Sequence, residues 1–224
     1  MLHGTPNPGV TGSELNRLLS LLSDGADAPS PRGRPAFAER LGHWLGWSGA
    51  ISLSMALNDA PTAARPGPTR DGGAEEADFQ RVRAALSASI AARPHEQATS
   101  PTDFAPYRLH CRNQQQAMHD TVAALRQRLR QALSRRSPAL ARLAAIDAVL
   151  DQTLAARERS LLGLVPLRLQ SRFERLQHSA RDAEAGAWLP TFLDDMQDLL
   201  QAELAHRLLP AQGLLDALRN PCPT

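Results

Sequence analysis

Glu203-Leu-Ala-His206 has the Glu-x-x-His spacing with which helical bundles hold paired metal ions. Three residues along a helix bring the carboxylate and the imidazole onto one face. Such a centre needs a second copy of the motif and two more glutamates from facing helices. The chain has no second copy, because Glu39/His43 and Glu174/His178 are spaced at four. The segment therefore reads as a polar face near a helix end. Asp194, Asp195 and Asp198 have the chemistry to gather a divalent cation, but no glycine-containing calcium loop holds them. They read as solvated helix surface. Cys111 adjoins His110, the residue types of a nucleophile and its base. Neighbours on a helix diverge by about 100°, so the two do not face each other. Asp147 and Asp151 lie one turn apart on a shared face with no evident base or metal, and read as a solvent-facing acidic strip. The chain also lacks a nucleophile elbow, a phosphate loop and a glycine-rich dinucleotide turn. No catalytic, cofactor-binding or metal-binding residue is assigned, and no cofactor is expected.

Chemistry of association is more visible. Trp44 and Trp47 stand three apart on one helical edge, a pair that reads first as core of a small subdomain and second as docking anchors. Residues 105–142 hold eight Arg against one acid, Asp120, whereas residues 182–206 hold six acids and no Arg. The net charge of +2 hides this asymmetry. Arg126, Arg128, Arg130, Arg135 and Arg136 form a basic face that nucleic acid could use. Tyr107 is the only aromatic in that stretch, so no stacking platform accompanies it. A solvated face partly neutralised by the acidic helix is the favoured reading, ahead of a protein contact and then of nucleic acid.

The elements that must carry these residues are helices. Ala (37) and Leu (35) dominate, against five Val and three Ile. Ala and Leu lose least on entering a helix, and sheets draw on β-branched and aromatic residues. The expected fold is all-α: an elongated multi-helix bundle with coiled-coil-like long helices and a small N-terminal helical subdomain. Residues 1–10 are expected to be disordered. Thr11 and Glu14 have capping-box spacing, opening a helix with Leu15, Leu18, Leu19 and Leu22. Pro35 suits the first turn of a helix presenting Phe37, Leu41, Trp44 and Leu45, and Ser48 can cap a third carrying Ile51, Met55 and Leu57. This subdomain spans 11–57, and the Pro- and Gly-rich stretch 58–74 reads as a linker.

The helical body covers 75–219, with 220–224 as a tail. Its first helix carries Phe79, Val82, Leu86 and Ile90 behind the acids Glu75, Glu76 and Asp78. Met118, Val122, Leu125, Leu129 and Leu133 make a stripe on a helix over 103–136. A helix about 50 Å long, at roughly 1.5 Å per residue, exceeds a compact small domain. Part of that stripe is expected to pack against another chain. Ser137-Pro138 predicts a corner, and Leu140, Leu143, Ile146, Leu150 and Leu154 continue beyond it. Pro166 interrupts a stripe of Leu162, Val165, Leu169, Phe173 and Leu176. A last long helix presents Leu189, Leu193, Met196, Leu200 and Leu204, and a short tail helix with Leu214, Leu215 and Leu218 follows Pro210.

The opening MLHGTPNPGVTGSE shows no secretory signal, and the longest apolar run, Leu161 to Leu167, falls short of the about 20 residues of a membrane span. Cys111 and Cys222 fit neither a disulfide framework nor a zinc pattern. A cytoplasmic protein is expected. All 25 basic residues are Arg, which coding bias in a GC-rich genome explains.

FAERLGHWLGW (Phe37 to Trp47), AISLSMAL (Ala50 to Leu57), TDFAPYR (Thr102 to Arg108), RLAAIDAVL (Arg142 to Leu150), ARERSLLGLVP (Ala156 to Pro166) and RFERL (Arg172 to Leu176) occur in this order. In these motifs the chain resembles a bacterial family designated domain of unknown function 3348. The resemblance brings no catalytic residues, and Cys111, His110 and His119 lie outside its pattern. It implies a cytoplasmic accessory of a cell-envelope complex. The function expected is therefore a non-catalytic helical assembly or adaptor protein, binding a protein partner or a second copy through helices. A nucleic-acid-associated regulator using the Arg-rich helix is the alternative, and a metal-dependent enzyme stands third.

Overall fold

The computed structural model describes residues 37–58, 73–92, 103–179 and 187–220, with side chains described from Gly46 onward. These residues form six helices: α1 (Phe37–Asn58), α2 (Gly73–Ala91), α3 (Ala105–Arg136), α4 (Pro138–Leu162), α5 (Leu164–Ser179) and α6 (Leu189–Arg219). Among the described residues there is no strand, and the fold is an all-α helical bundle. Residues 1–10, the Thr11 capping box with its helix, the interior of the 58–74 linker and residues 221–224 lie outside the described residues.

Local chemistry places the helix ends. Glu75 and Glu76 occupy the first turn of α2, where exposed amides favour negative charge. Asp103 Oδ1 accepts the Ala105 amide at 2.8 Å, and Pro106 sits in the first turn of α3, where its missing N–H costs nothing. Ser137 caps α4: its Oγ accepts the Leu140 amide at 3.2 Å and its carbonyl accepts that of Ala141 at 2.9 Å. The corner expected at Ser137-Pro138 is present.

Three boundaries differ from the sequence reading. In α1 the break is at Gly46, not at a cap on Ser48; its φ of 61° and ψ of −178° form a conformation open mainly to glycine. The α4–α5 break falls at Gly163, three residues before Pro166, which occupies the first turn of α5. No separate tail helix follows Pro210, because α6 runs through it to Arg219. Pro210 withdraws the amide that would reach the His206 carbonyl. Burial of Leu208 before it and of Ala211, Leu214, Leu215 and Leu218 after it holds the helix together.

The described residues divide into two compact units, whose boundaries fall inside α2, α3, α4 and α6. The first comprises residues 83–92, 103–121, 161–179 and 187–209. Five of the chain's nine aromatic residues gather in it. Phe104, Tyr107, Phe173, Trp188 and Phe192 stand 4.8–6.4 Å apart between ring centroids, mostly edge to face. The residues that α6 buries here include Met196, Leu200 and Leu204 of the expected stripe together with Phe192 and Leu199, whereas Leu189 and Leu193 are only half-buried.

The second unit comprises residues 37–58, 73–82, 122–160 and 210–220. Its core is Phe79 and Val82 of α2, Val122, Leu125, Leu129 and Leu133 of α3, and the buried leucines of α6. From α4 it takes Leu140, Ala141 and Ala144, while Leu143, Ile146, Leu150 and Leu154 are half-buried. Two alanines one turn apart let the α4 backbone approach its neighbours closely.

Candidate functional site

The Glu-x-x-His segment is not a surface face. Glu203 lies in the core of the first unit with 0% of its surface exposed. Gln115 on α3 donates its side-chain amide to Glu203 Oε2 at 2.9 Å, and Arg207, one turn along α6, donates Nε and Nη2 to Oε1 at 2.9 and 2.8 Å. The Gln115 amide also donates to the Leu162 carbonyl at 3.0 Å. Pro166 explains that contact, since a proline four residues on has no N–H to offer Leu162. Gln115 thus supplies the donor the helix lacks and spends its second hydrogen on Glu203. Among the described residues no three His, Cys, Asp or Glu side chains gather as a metal ion would require. Asp195 accepts Arg172 Nε at 2.7 Å.

Cys111 is fully buried in the same unit and is a free thiol. Burial first, and then the Glu203 charge, push its pKa up to about 12, against a smaller opposing effect of Arg112. A thiol held protonated and enclosed is no nucleophile. Burial pushes the His110 pKa down, and its Nε2 is enclosed with no hydrogen-bond partner among the described residues. His119 is exposed.

The basic face is largely consumed in the second unit. Arg126 donates Nη2 to Asp147 Oδ1 at 2.7 Å and Nη1 to Asp151 Oδ1 at 2.6 Å. Arg130 donates Nε to Asp147 Oδ2 and Nη2 to Asp151 Oδ2, both at 2.6 Å. Two guanidinium groups and two carboxylates close into a ring between α3 and α4. Asp147 and Asp151 are therefore not a free acidic strip, and their partner is the arginine pair. Arg128 donates to Asp78 at 2.7 Å. For Arg126, Arg128 and Arg130 the neutralising acids are thus Asp78, Asp147 and Asp151, not the acidic stretch 182–206 expected from charge alone. Arg135 and Arg136 close α3 at its carbonyl end, where cations are favoured.

The hydrophobic stripe also has its place inside the chain. Met118 is buried in the first unit, and Val122, Leu125, Leu129 and Leu133 are buried in the second. No side chain at 5% exposure or less has surface to offer another chain, so this stripe is core and not the interchain seam expected from helix length. Other segments of the same chain cover it.

Among the described residues, large apolar side chains are exposed at Leu109, Leu161, Leu164 and Leu167 of the first unit and, with the one exposed tryptophan, on α1. The Gly46 break falls between the two tryptophans, so helical spacing does not put them on one edge. The Trp44 side chain lies outside the described residues. Trp47 is 85% exposed and opens a helical stretch on which Ile51, Met55 and Leu57 are also exposed. Counting 100° per residue from Trp47, Ile51 and Met55 follow at about 40° and 80°. The inward edge is small: Gly49 is buried, and Leu53 and Ala56 are half-buried. The helix therefore turns its bulky side chains outward. Residues 41–58 contain no Asp, Glu, Lys or Arg, a signal legible in the sequence that spacing alone does not reveal.

No curated protein and no solved structure matches the chain. A family model described as protein of unknown function (DUF3348) matches residues 1–220. With nearly the whole sequence matched, the chain belongs to the DUF3348 family.

Proposed function

We propose that this protein is a non-catalytic helical assembly or adaptor protein that works by presenting α1 to another polypeptide. The observation that carries this reading is the outward Trp47–Ile51–Met55 edge on the part of α1, residues 41–58, that carries no charged residue. Exposed apolar residues in such concentration mark association sites in soluble proteins, and Trp is enriched among interface anchors. Ion pairing of Arg126, Arg128 and Arg130 removes support from the nucleic-acid alternative. The enclosed, protonated Cys111 and the fully engaged Glu203 offer nothing to a metal-dependent or nucleophilic reaction. No described helix is long and apolar enough to cross a membrane. A cytoplasmic place, beside a cell-envelope complex, belongs to the same proposal and agrees with a free Cys111 thiol.

Complementation of a deletion strain tests the reading. Trp47→Ala combined with Met55→Ala should abolish function while the purified chain keeps its helicity and melting temperature. Cys111→Ala and His119→Ala should complement fully. Loss of function in a folded Cys111 or His119 variant, with the α1 variant still active, would overturn the proposal.

A further inference from the structure

The α1 edge has a spacing that suits one occupant in particular. Trp47 lies four residues before Ile51 and Met55 four residues after it, and all three are exposed. A two-fold axis through Ile51 would lay two such helices antiparallel. It would set Ile51 against its own copy and Trp47 against Met55 of the second copy, twice over. In a two-fold interface residue i meets j and j meets i, so the patch has to be complementary to itself. Here it is, because thioether sulfur and aromatic rings attract one another. Ala50 and Ser54, also exposed and one turn apart, lie between Leu57 on one side and Ile51 and Met55 on the other, so two backbones can approach closely.

Charge points the same way. Binding a chosen foreign partner relies on charge patterns that reject wrong ones. The outward edge has none, with no charged residue from 41 to 58, and equally none that would repel an identical copy. Size sets the strength. A large aromatic buries about 150–250 Å². Trp47, with the partly exposed Ile51 and Met55, supplies roughly 400 Å² per copy, so the pair comes to about 800 Å², in the range of weak, reversible contacts below the about 1,000 Å² at which stable specific interfaces begin.

We infer that α1 pairs with α1 of a second copy of this chain, antiparallel about Ile51, in a reversible dimer of micromolar or weaker affinity. This rests on the reading of α1 as the association surface, and names its occupant.

Sedimentation of the full-length chain over a wide concentration range tests it. The native chain should dimerise reversibly. Ile51→Lys and Ile51→Glu, each placing like charges on the axis, should each weaken dimerisation at least tenfold with helicity unchanged. Mixing the two variants should restore a dimer, since opposite charges then meet. A native chain that stays monomeric to about 100 µM, or single variants that dimerise as well as it does, would overturn the inference.

A photo-crosslinker at Met55 in the native cell separates this inference from the broader one. An adduct of twice the chain mass joined at Trp47 supports pairing. An adduct with a different polypeptide overturns self-pairing and leaves the assembly reading standing. A link within one chain, or no adduct, overturns both.

Discussion

A carboxylate without exposed surface survives only while every oxygen has a donor, and Glu203 meets that condition through residues 88 positions away and one turn away. Gln115 is the more economical of the two. Its amide answers the carbonyl that Pro166 leaves open and the carboxylate that α6 buries. Neither residue marks itself in the sequence. Gln115 sits among three consecutive glutamines, and Glu203 in a motif whose spacing suggests metal chemistry. Their roles come from what faces them across the unit. Removing Glu203 would take from the Arg207 guanidinium, whose side chain is 10% exposed, the carboxylate that accepts both its Nε and its Nη2. Breaking a buried pair from one side costs about 3–5 kcal/mol. Glu203→Ala is therefore expected to lower the unfolding free energy by about 3 kcal/mol in urea titration, whereas Glu174→Ala, at an exposed position, should change it by less than about 0.5 kcal/mol.

At the scale of elements, the ring of Arg126, Arg130, Asp147 and Asp151 joins α3 to α4 across the corner that Ser137 caps. Side chains in it are 11–33% exposed, so their charges are partly desolvated and hold one another more firmly than surface pairs do. The Arg130 pKa is raised on balance: burial lowers it, and hydrogen bonding and charge from both aspartates more than offset that. Asp147→Asn together with Asp151→Asn should release both guanidinium groups. Stability should then fall by about 1–3 kcal/mol. Retention on a heparin column should rise, with elution shifted to higher salt, because freed cations contact polyanions through counterion release. An unchanged elution point would mean that the ring does not mask the basic face.

At the scale of the whole molecule, four helices contribute to both compact units, so a long helix here is not evidence of a partner chain. Leu125 and Leu133 are as enclosed as any residue in the second unit. Leu125→Asp places a charge in that core, at a cost of several kcal/mol. The expected result is loss of helical circular dichroism and of the cooperative melt in dilute solution, where no assembly forms. A folded monomer carrying this substitution would restore the stripe to the interface that helix length first suggested.

The helical class, the corner at Ser137-Pro138, the acid-led start of α2 and the apolar faces of α2 and α5 follow from composition, capping and periodicity, all of which are local properties of the chain. Family membership was legible for the same reason, in short motifs such as WLGW and ARERSLL. The tertiary structure alone decided which stripe is covered by its own chain, which acids answer the arginines, and why α6 continues through Pro210. It also decided that Glu203 faces inward and Trp47 outward. Burial and ion pairing depend on what lies opposite a residue in space, and periodicity reports only which residues share a face.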